Sequence, residues 1–351
     1  MAALVALTQE QSNSATVRNT ILDADGSTLP SPPFAKVEGV PNFRDLGGHK
    51  CSDDPAEFGV SRCIRYGYLF RSAQPAHITS TGIDTLTKGL NIHDTYDLRS
   101  FKELRLMQQR YDDLSVEIPG VTRHHIPIYR DEDYTPISMA EKYNTAQADT
   151  SSMDQKLNKL AGRSKDGFIQ AYGDILVQAA KSGSYRTIVQ HILEHPDQPL
   201  LVHCTVGKDR TGVFIALLLK LCGVGDEAVV WDYALTTSGL GRWREHLIKR
   251  ILDGAGKEYG NKADSKHEQE GSLVSREQAE RIVGSHAEDM EIFLEVVLKG
   301  QFGSARKYFG QECGLKDEEL DKVIENLTIE GEGTDFDVHP TSHNTIFSTS
   351  P

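Results

Sequence analysis

The sequence predicts an α/β fold in which a central, largely parallel sheet is flanked by helices and carries an inserted helical lid. Three observations lead there. Short strand-like segments alternate with segments of helical periodicity along most of the chain, as expected when helices cover a parallel sheet. Val213–Cys222 is apolar nearly all round except Lys220 and is bounded by Gly212 and Gly223, which reads as a buried helix with a glycine stop. Residues 130–167 are polar without a dominant apolar stripe. That exceeds the roughly 12–15 residues typical of structureless loops in compact domains, so the stretch reads as an inserted, partly helical lid.

Residues 1–33 are rich in Ser and Thr and end in Pro-Ser-Pro-Pro, which reads as a loose arm. Tyr68–Arg71 is a short strand. Thr79–Lys88 is a helix that opens on Thr/Ser/Thr capping candidates. Ile92–Leu98 is a strand, Phe101–Gln109 a charged helix, and Thr122–Ile128 strand-like until Pro127. Phe168–Ala180 places Phe168, Ile169, Tyr172, Ile175, Leu176 and Ala179 at helical spacing, and Tyr185–Leu193 continues as a helix that stops before Pro196. Leu200–Val202 is a short apolar strand. Ala228–Leu327 is helical, with a polar break at about 254–272 that reads as a surface loop. The chain thus predicts one domain over 34–328, between a disordered arm (1–33) and a disordered Gly/Ser/Thr/His-rich tail (329–351).

Composition narrows the function. The 351 residues are 38% hydrophobic and 25% charged, typical of globular proteins, with a formal net charge of −13. That charge argues against a non-specific nucleic-acid or anionic-membrane binder. The five cysteines, Cys51, Cys63, Cys204, Cys222 and Cys313, are few, odd in number and irregularly spaced without a C-x-x-C. They argue against a disulfide scaffold and a zinc site, and fit a reducing compartment. The N-terminus lacks a basic region and its apolar stretch is too short for a signal peptide. No run approaches about 18 apolar residues, so no integral membrane segment is expected. A cytoplasmic location follows as the expectation.

The chemistry concentrates in Leu200-Leu-Val-His203-Cys204-Thr205-Val206-Gly207-Lys208-Asp209-Arg210-Thr211-Gly212. This is a strand, a tight loop and a buried helix. Such a loop aims successive backbone N–H groups at one point, and the helix dipole adds positive potential there. A phosphate dianion fits that point. The same field favours a thiolate, so Cys204 is expected to titrate below the free value of about 8.5, in the range of about 3.5–7.5 of activated cysteines. Arg210 offers a planar fork for two phosphoryl oxygens. Gly207 lets the backbone approach without a Cβ clash. Thr211, one turn into the helix, is placed to donate its hydroxyl to the sulfur. A lone cysteine is more often a small buried hydrophobe, but a bland core has no use for Gly, Lys, Asp and Arg between an apolar strand and an apolar helix.

His-Cys-x5-Arg-Thr-Gly resembles the signature of cysteine-dependent tyrosine and dual-specificity phosphatases, and Gly-Lys-Asp-Arg-Thr-Gly is similar to their microbial branch, which includes phosphoinositide phosphatases. Val40-Pro-Asn-Phe-Arg44-Asp45-Leu-Gly47-Gly48, Leu69-Phe-Arg71-Ser72-Ala and Tyr96-Asp97-Leu98-Arg99 resemble that branch's successive blocks, and Phe302-Gly-Ser, Tyr308-Phe and Cys313-Gly-Leu its closing helices. The resemblance covers about 36–328 and implies a two-step hydrolysis without metal or cofactor. Cys204 attacks phosphorus, Arg210 and the loop from Thr205 and Val206 through Gly207, Lys208 and Asp209 hold the oxygens, and water hydrolyses the phosphocysteine.

No Trp-Pro-Asp is present to supply the general acid. Asp209 is the preferred candidate, because the resemblance assigns such an Asp the role. Asp131 and Asp133 follow the strand end where dual-specificity relatives carry their acid, although each alone reads as a solvated acidic residue. Asp97 reads as a buttress for the loop, and His203 as a hydrogen-bonding partner of its backbone. Lys208 either meets a second phosphate, as on an inositol headgroup, or is an exposed solvated lysine. Arg44 and Asp45 are expected to pair. Arg71 reads as a buried structural arginine and Cys222 as core. The expected substrate is a phosphorylated protein. A phosphoinositide, or a catalytically dead phosphate-binding module, stands as the alternative. Rhodanese and arsenate reductase share a Cys-x5-Arg-like loop but neither the Asn-Phe-Arg-Asp-Leu-Gly-Gly block nor the Lys-Asp-Arg-Thr-Gly ending.

Overall fold

The computed structural model describes residues 20–22, 28–51, 60–110, 116–130, 167–252, 275–334 and 336. The expected lid (apart from Arg130 and Gly167), the loop at 254–272, Asp131 and Asp133 lie outside the described residues.

The strands are β1 Thr20–Leu22, β2 Thr28–Pro30, β3 Arg44–Asp45, β4 Lys50–Cys51, β5 Arg62–Ile64, β6 Leu69–Ser72, β7 Asp94–Asp97, β8 Thr122–His125, β9 Leu200–His203 and β10 Thr328–Glu330. The main sheet runs β3-β6-β9-β7-β8, with β6, β9, β7 and β8 mutually parallel and β3 antiparallel at one edge. The central strand β9 is Leu-Leu-Val-His and buried throughout, as a strand covered on both faces must be. Its register with both neighbours brings Ser72, His203, Asp97 and His125 level at the carboxyl ends of four adjacent strands. In open α/β sheets that edge is where ligands bind.

The helices are α1 Ser80–Asp84, which runs on through Thr85–Gly89, α2 Phe101–Arg110, α3 Phe168–Ser182, α4 Ser184–Glu194, α5 Asp209–Leu221, α6 Asp226–Gly239, α7 Arg242–Leu252, α8 Arg276–Val283, α9 Ala287–Ile292, which runs on through Phe293–Phe302, α10 Ala305–Lys307, followed by Tyr308–Glu312, and α11 Asp317–Leu327. Gly183, at φ +75°, stops α3 and lets α4 turn back beneath it. Helix α5 is buried along its length except at its first residue, Asp209, and at Lys220. Phe214, Leu217 and Leu218 anchor it in the main core beside Tyr172, Ile175, Tyr185, Ile188 and Phe293. Truncating a side chain such as Phe214 costs about 3–5 kcal/mol in comparable cores.

Both ends of the domain reach beyond the expected boundaries. In the second half of the expected arm, β1 pairs antiparallel with β2, and Leu29 packs with Phe34, Trp231 and Leu235. At the other end β10 pairs antiparallel with β5, and Phe336 stacks on Trp231 at 4.7 Å between centroids. Composition hides these extensions because each rests on backbone pairing and one isolated apolar residue.

Two buried histidines make stability depend on pH. His49 lies against Trp231 and Phe336, and His203 ends β9. Burial lowers each to about 4. On acidification the unfolded chain therefore takes up these protons first, so their contribution is full above about pH 6.5 and is lost as pH falls towards 4. Asp45 acts in the opposite sense, since burial raises it to about 6. The urea midpoint is expected to drop between pH 7 and pH 5, and His49→Phe to flatten that drop. An unchanged slope in the variant would remove His49 from the account.

Candidate active site

Cys204 leaves β9 at the carboxyl edge of the sheet, and residues 204–208 turn into the first residue of α5. Three carbonyls of this loop are held outward. The Gln74 amide donates to Thr205 O at 3.1 Å, Asn42 Nδ2 to Val206 O at 3.2 Å, and Arg71 Nη2 to Gly207 O at 2.6 Å. A peptide's C=O and N–H point in opposite directions. Anchoring these carbonyls outward therefore turns the amides of Val206, Gly207 and Lys208 inward, and the Gly207 amide lies 3.2 Å from Cys204 Sγ. Gly207 has φ +71°, and a Cβ on it would stand 2.2 Å from Ser72 O. Positive φ and close backbone contact together restrict the position to glycine.

The outward anchors share one origin. Asp232 of α6 is buried between two arginines, accepting from Arg44 Nε at 2.8 Å and pairing with Arg71 Nη1. Arg44 Nη1 in turn donates to Asn42 Oδ1, which leaves Asn42 Nδ2 to reach Val206 O. Burial opposes the ionised carboxylate, yet Arg44 and Arg71 hold Asp232 far below the usual carboxylate range. The expected Arg44–Asp45 pair does not form. Neighbours on a strand face opposite sides: Arg44 turns to Asp232, while Asp45 accepts from the Gly47 and Gly67 amides.

Arg210 is the second residue of α5, and Tyr185 Oη donates to its carbonyl at 2.8 Å. Its guanidinium meets Glu103 in bidentate fashion, Nη1 to Oε2 at 2.5 Å and Nη2 to Oε1 at 2.7 Å. Glu103 also accepts from Thr205 Oγ1 at 2.5 Å and from the Ser100 amide at 2.8 Å. Burial raises a carboxyl's pKa, but Arg210 outweighs it and keeps Glu103 below its ordinary range. Reciprocally, Glu103 holds Arg210 above its own ordinary value against burial. Sequence reasoning passed over both Glu103 and Asp232. For Glu103 a signal existed in Ser100-x-x-Glu103, a capping box at the start of α2. For Asp232 none did, because its partners lie 161 and 188 residues away.

The other predicted residues divide. His203 Nδ1 lies 3.4 Å from Cys204 O. Asp97 ends β7 and accepts from Arg99, two residues on, through Nε at 2.8 Å and Nη2 at 2.6 Å. Burial opposes its charge, but Arg99 keeps it far below the carboxylate range. Lys208 is not the solvated lysine allowed for. It is 2% exposed, donates to Ile282 O at 2.6 Å and Gly284 O at 3.1 Å, and lies 4.9 Å from the Phe168 ring centroid. Its long aliphatic stem crosses the loop to cap the end of α8. The Thr211 hydroxyl is buried and makes no hydrogen bond among the described residues, so the expected donation to Sγ is not made. Asp209 opens α5, is about one-third exposed, and accepts from Tyr172 Oη at 2.9 Å.

A cysteine at the sheet's carboxyl edge, inward-facing amides and an arginine locked at the helix start together make a Cys-x5-Arg loop, a candidate phosphate site. The chain belongs to the tyrosine phosphatase family, which it matches over residues 35–329. It is 26% identical over 228 residues to the triple specificity protein phosphatase PtpB of Mycobacterium tuberculosis, a match covering 62% of this chain and 74% of that one. It is 34% identical over 107 residues to a tyrosine-protein phosphatase of Nostoc commune, covering 30% of this chain and 35% of that protein. The expected fold class and protein-tyrosine-phosphatase activity stand with the family. No helix among the described residues is long and apolar enough to cross a membrane.

Two substitutions probe the scaffold of the site. Asp232→Asn leaves two buried arginines without their counter-charge and is expected to cost about 3–5 kcal/mol in urea unfolding. Glu103→Gln is expected to keep the fold but free the Arg210 fork, lowering kcat/KM on the order of 10–100-fold. Unchanged kinetics in Glu103→Gln would mean that Arg210 is oriented by other groups.

Proposed function

We propose that this phosphatase hydrolyses phosphotyrosine in proteins through a phosphocysteine formed on Cys204, acting in the cytoplasm. The observation that carries the reading is the Gly207 amide directed at Cys204 Sγ from within the loop that ends in Arg210. In the first step Sγ attacks phosphorus, the S–P bond forms and the bond to the tyrosyl oxygen breaks. Asp209 gives that oxygen its proton. In the second step Asp209 takes a proton from water as the water oxygen attacks phosphorus and the S–P bond breaks, releasing inorganic phosphate and the thiolate. Arg210 and the inward amides of Val206, Gly207 and Lys208 bind the equatorial oxygens in both steps, a preorganised electrostatic contribution. Asp97 and His203 support the strand end beneath the loop. A cytoplasmic setting is supported by the five cysteines, all unpaired and buried.

The second reading, a phosphoinositide substrate, needs a cation free to meet a second phosphate. Lys208 was the candidate, and its ammonium is already shared between two backbone carbonyls and an aromatic face. This favours a substrate with one phosphate.

The test is phosphate release from phosphotyrosine, phosphothreonine and phosphoinositide substrates side by side, with reductant. Turnover is expected to be greatest on phosphotyrosine and to vanish in Cys204→Ser. Lys208→Met is expected to weaken turnover on all substrates alike, through loss of its tie to 282–284. A selective loss on phosphoinositides would favour the second reading, and turnover persisting in Cys204→Ser would refute the cysteine mechanism.

A further inference from the structure

Asp209 does not stand alone at the start of α5. Its Oδ1 accepts from the hydroxyl of Tyr172 on α3 at 2.9 Å, and the Tyr172 and Tyr233 hydroxyls are 2.6 Å apart. A phenol has one proton to give. Tyr172 gives its proton to Asp209, so Tyr233 of α6 must be the donor to Tyr172. The result is a directed chain, Tyr233 to Tyr172 to Asp209, in which the first bond strengthens the second. Both rings are 1% exposed. Gly212 makes room for this arrangement, since a Cβ there would stand 3.1 Å from Tyr233 Cδ2.

We propose that Tyr172, backed by Tyr233, is a positioning residue for the proton-transfer steps. Its hydroxyl fixes the Asp209 carboxyl in the orientation that both proton transfers need. This rests on the reading of Asp209 as the proton donor and acceptor. The charged and titratable groups around the chain are few. Lys208 Nζ lies 3.5 Å from Asp209 Oδ1. Asp289 of α9 and Arg281 of α8, bound to each other at 2.6 Å, act on the tyrosines from the far side. His286 faces Lys208. Burial, with the Asp209 charge added to it, keeps both phenols protonated well above the ordinary range, so they remain donors throughout the working pH.

The experiment is kcat/KM on phenyl phosphate and on p-nitrophenyl phosphate, whose leaving groups differ in their need for a proton, for the full-length wild type, Tyr172→Phe, Tyr233→Phe and Asp209→Asn, each checked for folding by its urea midpoint. Asp209→Asn is expected to lose about 100-fold on phenyl phosphate and much less on p-nitrophenyl phosphate. Tyr172→Phe is expected to lose about 10-fold on phenyl phosphate with the same bias, and Tyr233→Phe to follow in the same direction by less. If Asp209→Asn shows the bias while Tyr172→Phe loses equally on both substrates, the positioning role is overturned and the Asp209 reading stands. If Asp209→Asn shows no bias, the Asp209 reading fails and takes this proposal with it. Should Tyr172→Phe not fold, Tyr233→Phe decides, and equal losses on both substrates overturn the proposal.

Discussion

Behind the cysteine loop a single carboxylate, Asp232, faces two arginines in the interior. Three charges without solvent are costly unless each finds partners, and here the partners extend into the loop itself. Arg71 spends one Nη on Asp232 and the other on the Gly207 carbonyl. Arg44 sets the Asn42 amide that holds the Val206 carbonyl. The orientation of the inward loop amides is thus a consequence of how a buried ion cluster satisfies its hydrogen bonds. Remove the carboxylate and two guanidinium groups compete for backbone carbonyls that now hold the loop in shape.

The opposite face of the loop shows the same economy of charge. Arg210 and Lys208 are both buried cations, and neither is left to wait for substrate alone. Glu103 takes two Nη positions of Arg210 and also the Thr205 hydroxyl, which ties the first residue after the cysteine to the arginine that closes the motif. Lys208 is neutralised by no bidentate carboxylate. Carbonyl dipoles at 282 and 284 and the Phe168 ring receive it instead, and Arg281 lies over the same ring at 4.9 Å. In the proposed mechanism a phosphate dianion then meets the inward backbone amides together with the Arg210 fork, a geometry that glycine at 207 makes possible.

Much of this was legible in the sequence. The strand ending in Val-His-Cys, the glycine-bounded apolar helix α5 and the alternation around them follow from periodicity and from the cost of placing charged residues between apolar segments. What stayed hidden depends on contacts distant along the chain. Asp232 sits in a helix whose sequence shows a residue of ordinary charge in ordinary company, and only the fold brings Arg44 and Arg71 to it. Lys208 reads as a solvated or phosphate-seeking cation until α8 is seen to end beside it. The paired strands at 20–22 and 28–30 and the strand at 328–330 were read as loose ends because backbone pairing leaves no mark in composition. Thr211 failed differently: its spacing from Cys204 suggested a hydroxyl donating to the sulfur, but the buried hydroxyl makes no hydrogen bond among the described residues.

Glycine at 212 shows how the chemistry and the packing became one motif. Read locally, Arg-Thr-Gly is a helix start with a poor helix former in its first turn, a cost of about 1 kcal/mol relative to alanine. In the fold, a Cβ at 212 would press on Tyr233 at 3.1 Å and on Arg71 Nη2 at 3.3 Å. Those two side chains belong to the two networks that shape the site, one leading through Tyr172 to Asp209 and the other from Asp232 to the Gly207 carbonyl. The missing methyl allows both to approach the same turn of α5. The loop is therefore held from the N-terminal segments by Asn42, Arg71 and Gln74, and from the C-terminal helices by Asp232, Tyr233 and the carbonyls that receive Lys208. Segments roughly 200 residues apart must assemble before any of these contacts exists, so the cradle forms only when the whole domain does, and its geometry is as cooperative as the fold.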